Sequence, residues 1–443
     1  MKTMYRSLLV LTLLLGSVGP LGACQSTPPP SGQSTETPAT ANGDEATVTT
    51  LPESTVSRID TTVSEGPNLI ENPGAEAHEG DTPLQWQADF WGENTAQVER
   101  QTEGAPEGNA FLTRSLQNRT SGDAKWIFTP LKFAANQWYE YSDLYRADGR
   151  NRLIMRCQDE SGKLSYNTLW QTHQQNQWAK ESFRFYGGPY ANCQASVMHV
   201  LDRNGFLDTD SHQIHAVNAQ PLDRPLASIT FDDIWKTATE EGKALLEARG
   251  WKGSYYITRK FAEMTTNPEY AKTTDIRQLM ADGHEVGSHS ADHPLMSSLD
   301  KDDIYHELWS THRYLKDLGQ EPEGIAYPFG DFSEAVERET QRFHSYARTS
   351  LVGLNDKSLN RFRLRIVPVT ATSTTQELKN WVNFAKASKT WVIFLFHDLS
   401  DAPGNFEYTT SLQQYKDLLE HIAAQQVTVL PVNEALKEAV GNP

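Results

Sequence analysis

Two rhythms of apolar residues divide this chain. Between about 66 and 220, short runs alternate in twos and are separated by Gly, Asn and Asp turns. Examples are Ala124-Lys125-Trp126-Ile127-Phe128, Trp138-Tyr139-Glu140-Tyr141-Ser142, Arg152-Leu153-Ile154-Met155-Arg156-Cys157 and Ala195-Ser196-Val197-Met198-His199-Val200-Leu201. A strand with one buried face repeats every second residue, so this stretch predicts an all-β sandwich. From 222 to about 440 the pattern becomes strand, helix, strand. The predicted strands are Leu226–Asp233, Gly253–Thr258, His284–Ser290, Gly324–Gly330, Ser345–Thr349, Leu364–Thr370, Trp391–His397 and Val427–Val432. Between them Ile304, Leu308, Thr311, Leu315 and Leu318 recur at helical spacing, with Asp300 placed to cap that helix. Strands alternating with helices pair in parallel, here as a closed or nearly closed (β/α) barrel whose functional groups gather at the carboxyl ends of the strands.

The N-terminal 65 residues fit neither rhythm. Lys2 and Arg6 precede the apolar run Leu8–Leu15, which is shorter than the roughly 20 residues a spanning helix needs and fits a secretory signal. Residues 1–24 end in Leu21-Gly22-Ala23-Cys24, which resembles a bacterial lipobox and implies lipid attachment at Cys24. Gln25 in the next position resembles outer-membrane sorting in a Gram-negative cell envelope. Residues 25–65 are rich in Ser, Thr, Pro and Glu and predict a disordered tether, because they carry too little apolar surface to offset the entropy of ordering. With Cys24 lipidated, Cys157 and Cys193 remain, both in strand-like segments of an exported domain where disulfides persist. A bond between them is the favoured expectation. The formal charge of −17 argues against nucleic acid as a partner.

The chemistry sits in three strand ends: Ser228-Ile229-Thr230-Phe231-Asp232-Asp233, Gly287-Ser288-His289-Ser290-Ala291-Asp292-His293-Pro294 and Phe394-Leu395-Phe396-His397-Asp398. Period-2 geometry points Asp232 and Asp233 to different sides, unless a twist at the strand end turns both into one cavity. Neither pair of residues is informative alone in a chain with 57 acids and 13 histidines. Together, two neutral imidazoles and one carboxylate suit zinc or a similar divalent ion, with positions left for water and substrate. A second carboxylate and a separate histidine supply a base and an acid. The set is suited to metal-assisted hydrolysis.

These residues bring out a resemblance. Thr230-Phe231-Asp232-Asp233, His289-Ser290-Ala291-Asp292-His293 and Leu395-Phe396-His397 resemble the first, second and fifth motifs of the polysaccharide deacetylase (NodB-homology) family, carbohydrate esterase family 4, and Tyr327-Pro328-Phe329-Gly330 resembles the third. The resemblance implies a divalent metal (zinc, with cobalt or nickel as alternatives) held by Asp233, His289 and His293. It implies Asp232 as general base, His397 as general acid, the Phe329 N–H as an oxyanion donor and Leu395 as the wall of an acetyl pocket. Three positions depart from the family pattern. Ile234 stands where glycine is usual, and Ala326 replaces the arginine that holds the base, with Arg348 or Arg365 as candidate substitutes. The Asp and Trp that orient the acid have no evident counterpart.

Residues 66–220 carry a further resemblance. Asn68-Leu69-Ile70-Glu71-Asn72-Pro73-Gly74-Ala75-Glu76, followed by Pro83-Leu84-Gln85-Trp86, resembles carbohydrate-binding modules of the galactose-binding-like jelly-roll type. Trp86, Trp91, Trp126, Trp138, Trp170 and Trp178 lie in this segment, and aromatic faces either fill a core or stack on sugars. Trp91 and Trp170 are the candidates for glycan contact. The expectation is therefore removal of N-acetyl groups from an N-acetylglucosamine-containing polysaccharide. O-deacetylation of a glycan such as acetyl-xylan and a non-catalytic glycan-binding lipoprotein stay open as alternatives.

Overall fold

The computed structural model of the protein describes residues 66–401 and 407–441. The signal expected at 1–24, Cys24 with it, and the tether expected at 25–65 lie outside them.

Two five-stranded antiparallel sheets come first. One runs in the order Gln175–Tyr186, Trp138–Ala147, Gly205–Val217, Phe111–Gln117, Thr95–Gln101, and the other in the order Trp86–Trp91, Asp123–Phe128, Cys193–Leu201, Asn151–Asp159, Leu164–Thr172. Trp86, Trp126, Phe128, Tyr141 and Phe183 are part of the core between them. Alternation is clearest on the edge strand Thr95–Gln101. Cys193–Leu201 is buried almost throughout because both its faces are covered: Ala195 and Val197 join the main core, whereas Met198 and Val200 cluster with Ile154. A disulfide joins Cys157 to Cys193 across neighbouring strands, with Cα atoms 5.6 Å apart.

The C-terminal domain is a distorted (β/α) barrel of seven parallel strands: β1 Leu226–Phe231, β2 Ser254–Ile257, β3 Glu285–Ser288, β4 Gly324–Ala326, β5 Tyr346–Val352, β6 Leu364–Pro368 and β7 Trp391–Phe396. The ring closes where β1 pairs with β2 on one side and β7 on the other. Seven of the eight expected strands are shorter than the apolar pattern suggested, two of them markedly. Thr428–Val429 pairs only with the start of β1, and Pro431 then opens the helix Val432–Val440. β4 ends at Ala326 because Pro328, lacking an N–H for a ladder, begins a 3₁₀ turn over Pro328–Gly330.

Side chains alternate between two cores. Leu226 on β1 and Trp391, Ile393 and Leu395 on β7 fill the barrel, while Ala227, Ile229, Phe231, Val392, Phe394 and Phe396 pack against the helices. One polar chain closes the lower part of the interior. Glu285 accepts bonds from Ser254 Oγ (2.6 Å), Tyr346 Oη (2.5 Å) and the Asn433 N–H (3.1 Å). Gly324 is required here, since a Cβ would overlap the Tyr346 ring.

The sandwich docks directly on the barrel. Trp138 and Tyr186 join the core formed by the barrel's outer residues, and Gln171 donates to the Phe332 carbonyl at 2.7 Å.

Candidate active site

The strand parity that fills the barrel also aims its upper rim. Asp232 continues the inward series of β1 and is only 3% exposed. Asp233 would face outward by the same parity, but its backbone enters the left-handed region at φ 68°, followed by Ile234 at φ 65°. That twist swings Asp233 back over the cavity mouth. A β-branched residue rarely adopts this conformation, so the chain keeps at Ile234 the backbone that glycine would take without strain. Ile234 is held there by burial and by the bond from the Ala271 N–H to its carbonyl (2.9 Å).

His289 follows β3 and points inward. Its Nδ1 lies 2.7 Å from the Ala326 carbonyl, which as an acceptor makes Nδ1 the donor and leaves the Nε2 lone pair facing the cavity. Ser290 and His293, at φ 64° and 62°, fold the following loop back on itself. Glu307 clamps this loop from the helix Lys301–Leu318 by accepting the N–H groups of Ala291 and Asp292, each at 2.9 Å. That helix begins at Asp300, which caps Asp303 N.

Asp233, His289 and His293 converge. The two Nε2 atoms are 3.1 Å apart and stand 3.5 and 3.4 Å from Asp233 Oδ1. Asp233 Oδ1 is buried and has no hydrogen-bond partner among the described residues. Three ligand atoms about 2.0–2.1 Å from a tetrahedral cation stand roughly 3.3 Å apart, so the cluster has the size and donor set of a zinc-type site. An orphaned acceptor facing two nitrogen lone pairs is unfavourable without positive charge between them. The residues fit a divalent metal.

The surrounding charges sort into roles. Arg348, on β5, grips both oxygens of Asp232 and lies over the Tyr256 ring. Burial pushes the Asp232 carboxyl up, but Arg348, then His289 and His397, outweigh it and leave the group below its ordinary range. Burial and then the Asp232 charge push Asp233 up to about 7. Burial holds His289 and His397 down to about 4 and His293 down to about 3, so all three imidazoles are neutral near pH 7. His397 Nε2 lies 4.0 Å from Asp233 Oδ2, and the ring meets Tyr408 at 4.8 Å between centroids. Phe329, 62% exposed, caps the mouth with its ring 4.4 Å from that of His293. Leu395 forms part of the apolar floor beneath.

Several expectations are refined. Of the two arginines considered, Arg348 is the one that bonds Asp232. Arg365 instead faces the sandwich and lies over Trp170 and Phe183. Trp170 is not an open sugar platform, because its ring stacks on Phe183 and is covered by Arg363 and Arg365. Trp91 is 49% exposed and bonded through Nε1 to Asp123. Glu307 and Asp331 escaped the sequence reading. Glu307 could have been flagged as an acid lying on the apolar stripe of Ile304, Leu308 and Thr311.

Residues 219–347 match the family described as Polysaccharide deacetylase. The match contains Asp232, Asp233, His289, His293 and Phe329 and stops before Arg348 and His397. Residues 219–347, with a β-sandwich region before them, are thus similar to the polysaccharide deacetylase family. Beyond the family, a protein of Bacillus subtilis (strain 168) described as uncharacterized protein YlxY is 24% identical over 166 residues, 34% of this chain and 50% of that protein. The chain thus spans about half the length of this curated relative. Among solved structures, a variant of peptidoglycan deacetylase PdaC from Bacillus subtilis is 15% identical, covering 49% of this chain and 92% of that one with a TM-score of 0.35. BA3943 from Bacillus anthracis, described as a CE4 family pseudoenzyme, is 16% identical, covering 50% and 70% with a TM-score of 0.36.

Proposed function

We propose that this protein is a metal-dependent hydrolase that removes N-acetyl groups from an N-acetylglucosamine-containing polysaccharide and releases acetate. The observation that carries the proposal is the division of labour between adjacent carboxylates. Asp232 is ionised and held by Arg348, while Asp233 presents an unbonded oxygen to two imidazoles.

Asp233, His289 and His293 would hold the cation. When bound, a divalent metal polarises the acetyl carbonyl and acidifies water. Asp232 then takes a proton from the attacking water, and Arg348 keeps that carboxylate oriented. His397, neutral at rest, would take up the proton that leaves the attacking water by way of Asp232 and deliver it to the departing nitrogen, so that water and the acetamide become acetate and a free amino sugar. The Phe329 N–H would share the developing oxyanion charge, and Leu395 would meet the acetyl methyl. Trp91 offers an exposed aromatic face for the glycan. Lipid attachment at Cys24 would hold the enzyme at the cell envelope, and Cys24→Ser would shift it from the membrane to the soluble fraction.

The test is acetate release from defined acetylated oligosaccharides, with and without chelator, alongside metal analysis of the same sample. Release that persists through chelation and through Asp232→Asn refutes the mechanism. One observation favours a second reading: a His397 held down to about 4 suits a leaving group that needs little protonation. O-acetyl esters are such substrates, and near-full activity in His397→Ala would favour them.

A further inference from the structure

We propose that the sandwich is a working part of the active site, with Arg150 and Gln171 as positioning residues for the loop that carries Phe329. The proposal rests on the deacetylase reading insofar as it gives Phe329 a role in the reaction.

The loop needs outside support. Phe329 and Gly330 are consecutive left-handed residues, at φ 58° and 67°, on a turn that projects from the barrel rim. Backbone of this kind persists where its surroundings over-determine it. Asp331 and Phe332 follow immediately, and both are buried. Asp331 accepts the Ser297 N–H at 2.7 Å and the Ser297 hydroxyl at 2.9 Å. Ser297 belongs to the segment that continues from His293, so one carboxylate ties together the two loops flanking the metal cluster. Among the described residues, the cation paired with Asp331 is Arg150, from the sandwich turn between Trp138–Ala147 and Asn151–Asp159.

A second sandwich group grips the next residue. Gln171 donates to the Phe332 carbonyl at 2.7 Å. The Phe332 ring lies under Arg363, which is bonded to Glu337 and to sandwich His173, and the His173 ring meets Phe332 at 5.7 Å. The segment is thus clamped by sandwich side chains at two successive residues. A module used only to find substrate has no need to bond the residues that follow an oxyanion donor.

The experiment uses the full chain with Arg150→Ala, Arg150→Lys and Gln171→Ala. Two readouts are taken: hydrogen exchange of peptides spanning 327–333, and kinetics on a short acetylated chito-oligosaccharide and on the polymer. Misplacing a transition-state donor by a fraction of an ångström lowers kcat on both substrates. The expected loss is about tenfold or more with KM within about twofold, restored by Arg150→Lys. Exchange at 327–333 should rise in both alanine variants, stay near wild type in Arg150→Lys, and remain unchanged across Trp391–Phe396. Unaltered exchange at 327–333, or an unaltered kcat with KM raised on the polymer alone, overturns the proposal. If the wild-type protein releases no acetate, the deacetylase reading fails by itself. The exchange comparison needs no turnover and still decides whether the sandwich holds this loop. Should Arg150→Ala fail to fold, Gln171→Ala carries the same comparison.

Discussion

The barrel interior buries carboxylates at both ends and treats them differently. At the lower end Glu285 receives bonds from Ser254, Tyr346 and the Asn433 N–H. At the upper end Asp232 is held by a full charge, Arg348, and Asp233 keeps an oxygen without a hydrogen bond among the described residues. A buried polar group that only supports the fold is normally satisfied, since leaving it bare costs stability. Asp233 is not, and what sets it apart is that it stands beside two neutral imidazoles at the strand ends. The contrast separates a carboxylate that closes the barrel from one kept open for a cation.

The strongest way to test this contrast is through Asp232. Asp232→Asn keeps the shape but removes the proton acceptor, so kcat should fall by about 10²–10⁴-fold while metal content stays stoichiometric. Acetate-release kinetics with metal analysis checks both halves. Next is Glu285→Ala, which strips an acceptor from three buried donors and opens a void. It should lower unfolding stability by about 2–4 kcal/mol in a urea titration. Turnover per folded molecule should stay within about twofold of wild type. A large loss of kcat there would erase the distinction between the two ends.

A smaller effect concerns pH. Asp233 sits at about 7 without metal, and the imidazoles are already neutral, so the competing proton belongs to Asp233. Cation affinity should weaken about tenfold per pH unit below about 7 and level off above it, measurable by calorimetric titration at several pH values. Folding stability of the metal-free protein moves the opposite way with pH. A carboxyl raised from an ordinary value of about 3.9 is more protonated in the folded chain, so its contribution falls as pH rises across that window. Added cation should remove the loss. Least affected by design is Trp91→Ala, which should leave kcat on a short oligosaccharide unchanged and raise KM on the polymer about threefold, as loss of one stacking face implies.

Much of this was legible in the sequence. The barrel followed from strand–helix alternation, and the candidate metal site from residue types at two strand ends. The cap at Asp300 could be read from local chemistry alone. What escaped needed a partner distant in the chain. Trp170 is followed by Gln171 and Thr172 in sequence, but its ring is covered by Arg363 and Arg365 from the barrel. Choosing Arg348 over Arg365 required knowing which parity of β5 and β6 faces inward. Sequence placed Tyr346 and Arg348 in one alternating series without showing that Arg365 belongs to the opposite face. Asp331 drew no notice in the sequence because its cation lies on another domain.

Ile234 has a consequence for anyone seeking to harden this protein. Its backbone stores a tension that the fold tolerates because the residue before it must be aimed at the cavity. Glycine there would release about 1 kcal/mol or more of torsional penalty while giving up a buried side chain and gaining slack in the unfolded chain. Heat-resistant descendants of this sequence would have to settle that trade at a single hinge beside the reacting groups. Tightening the fold and keeping its aim are the same problem at this position.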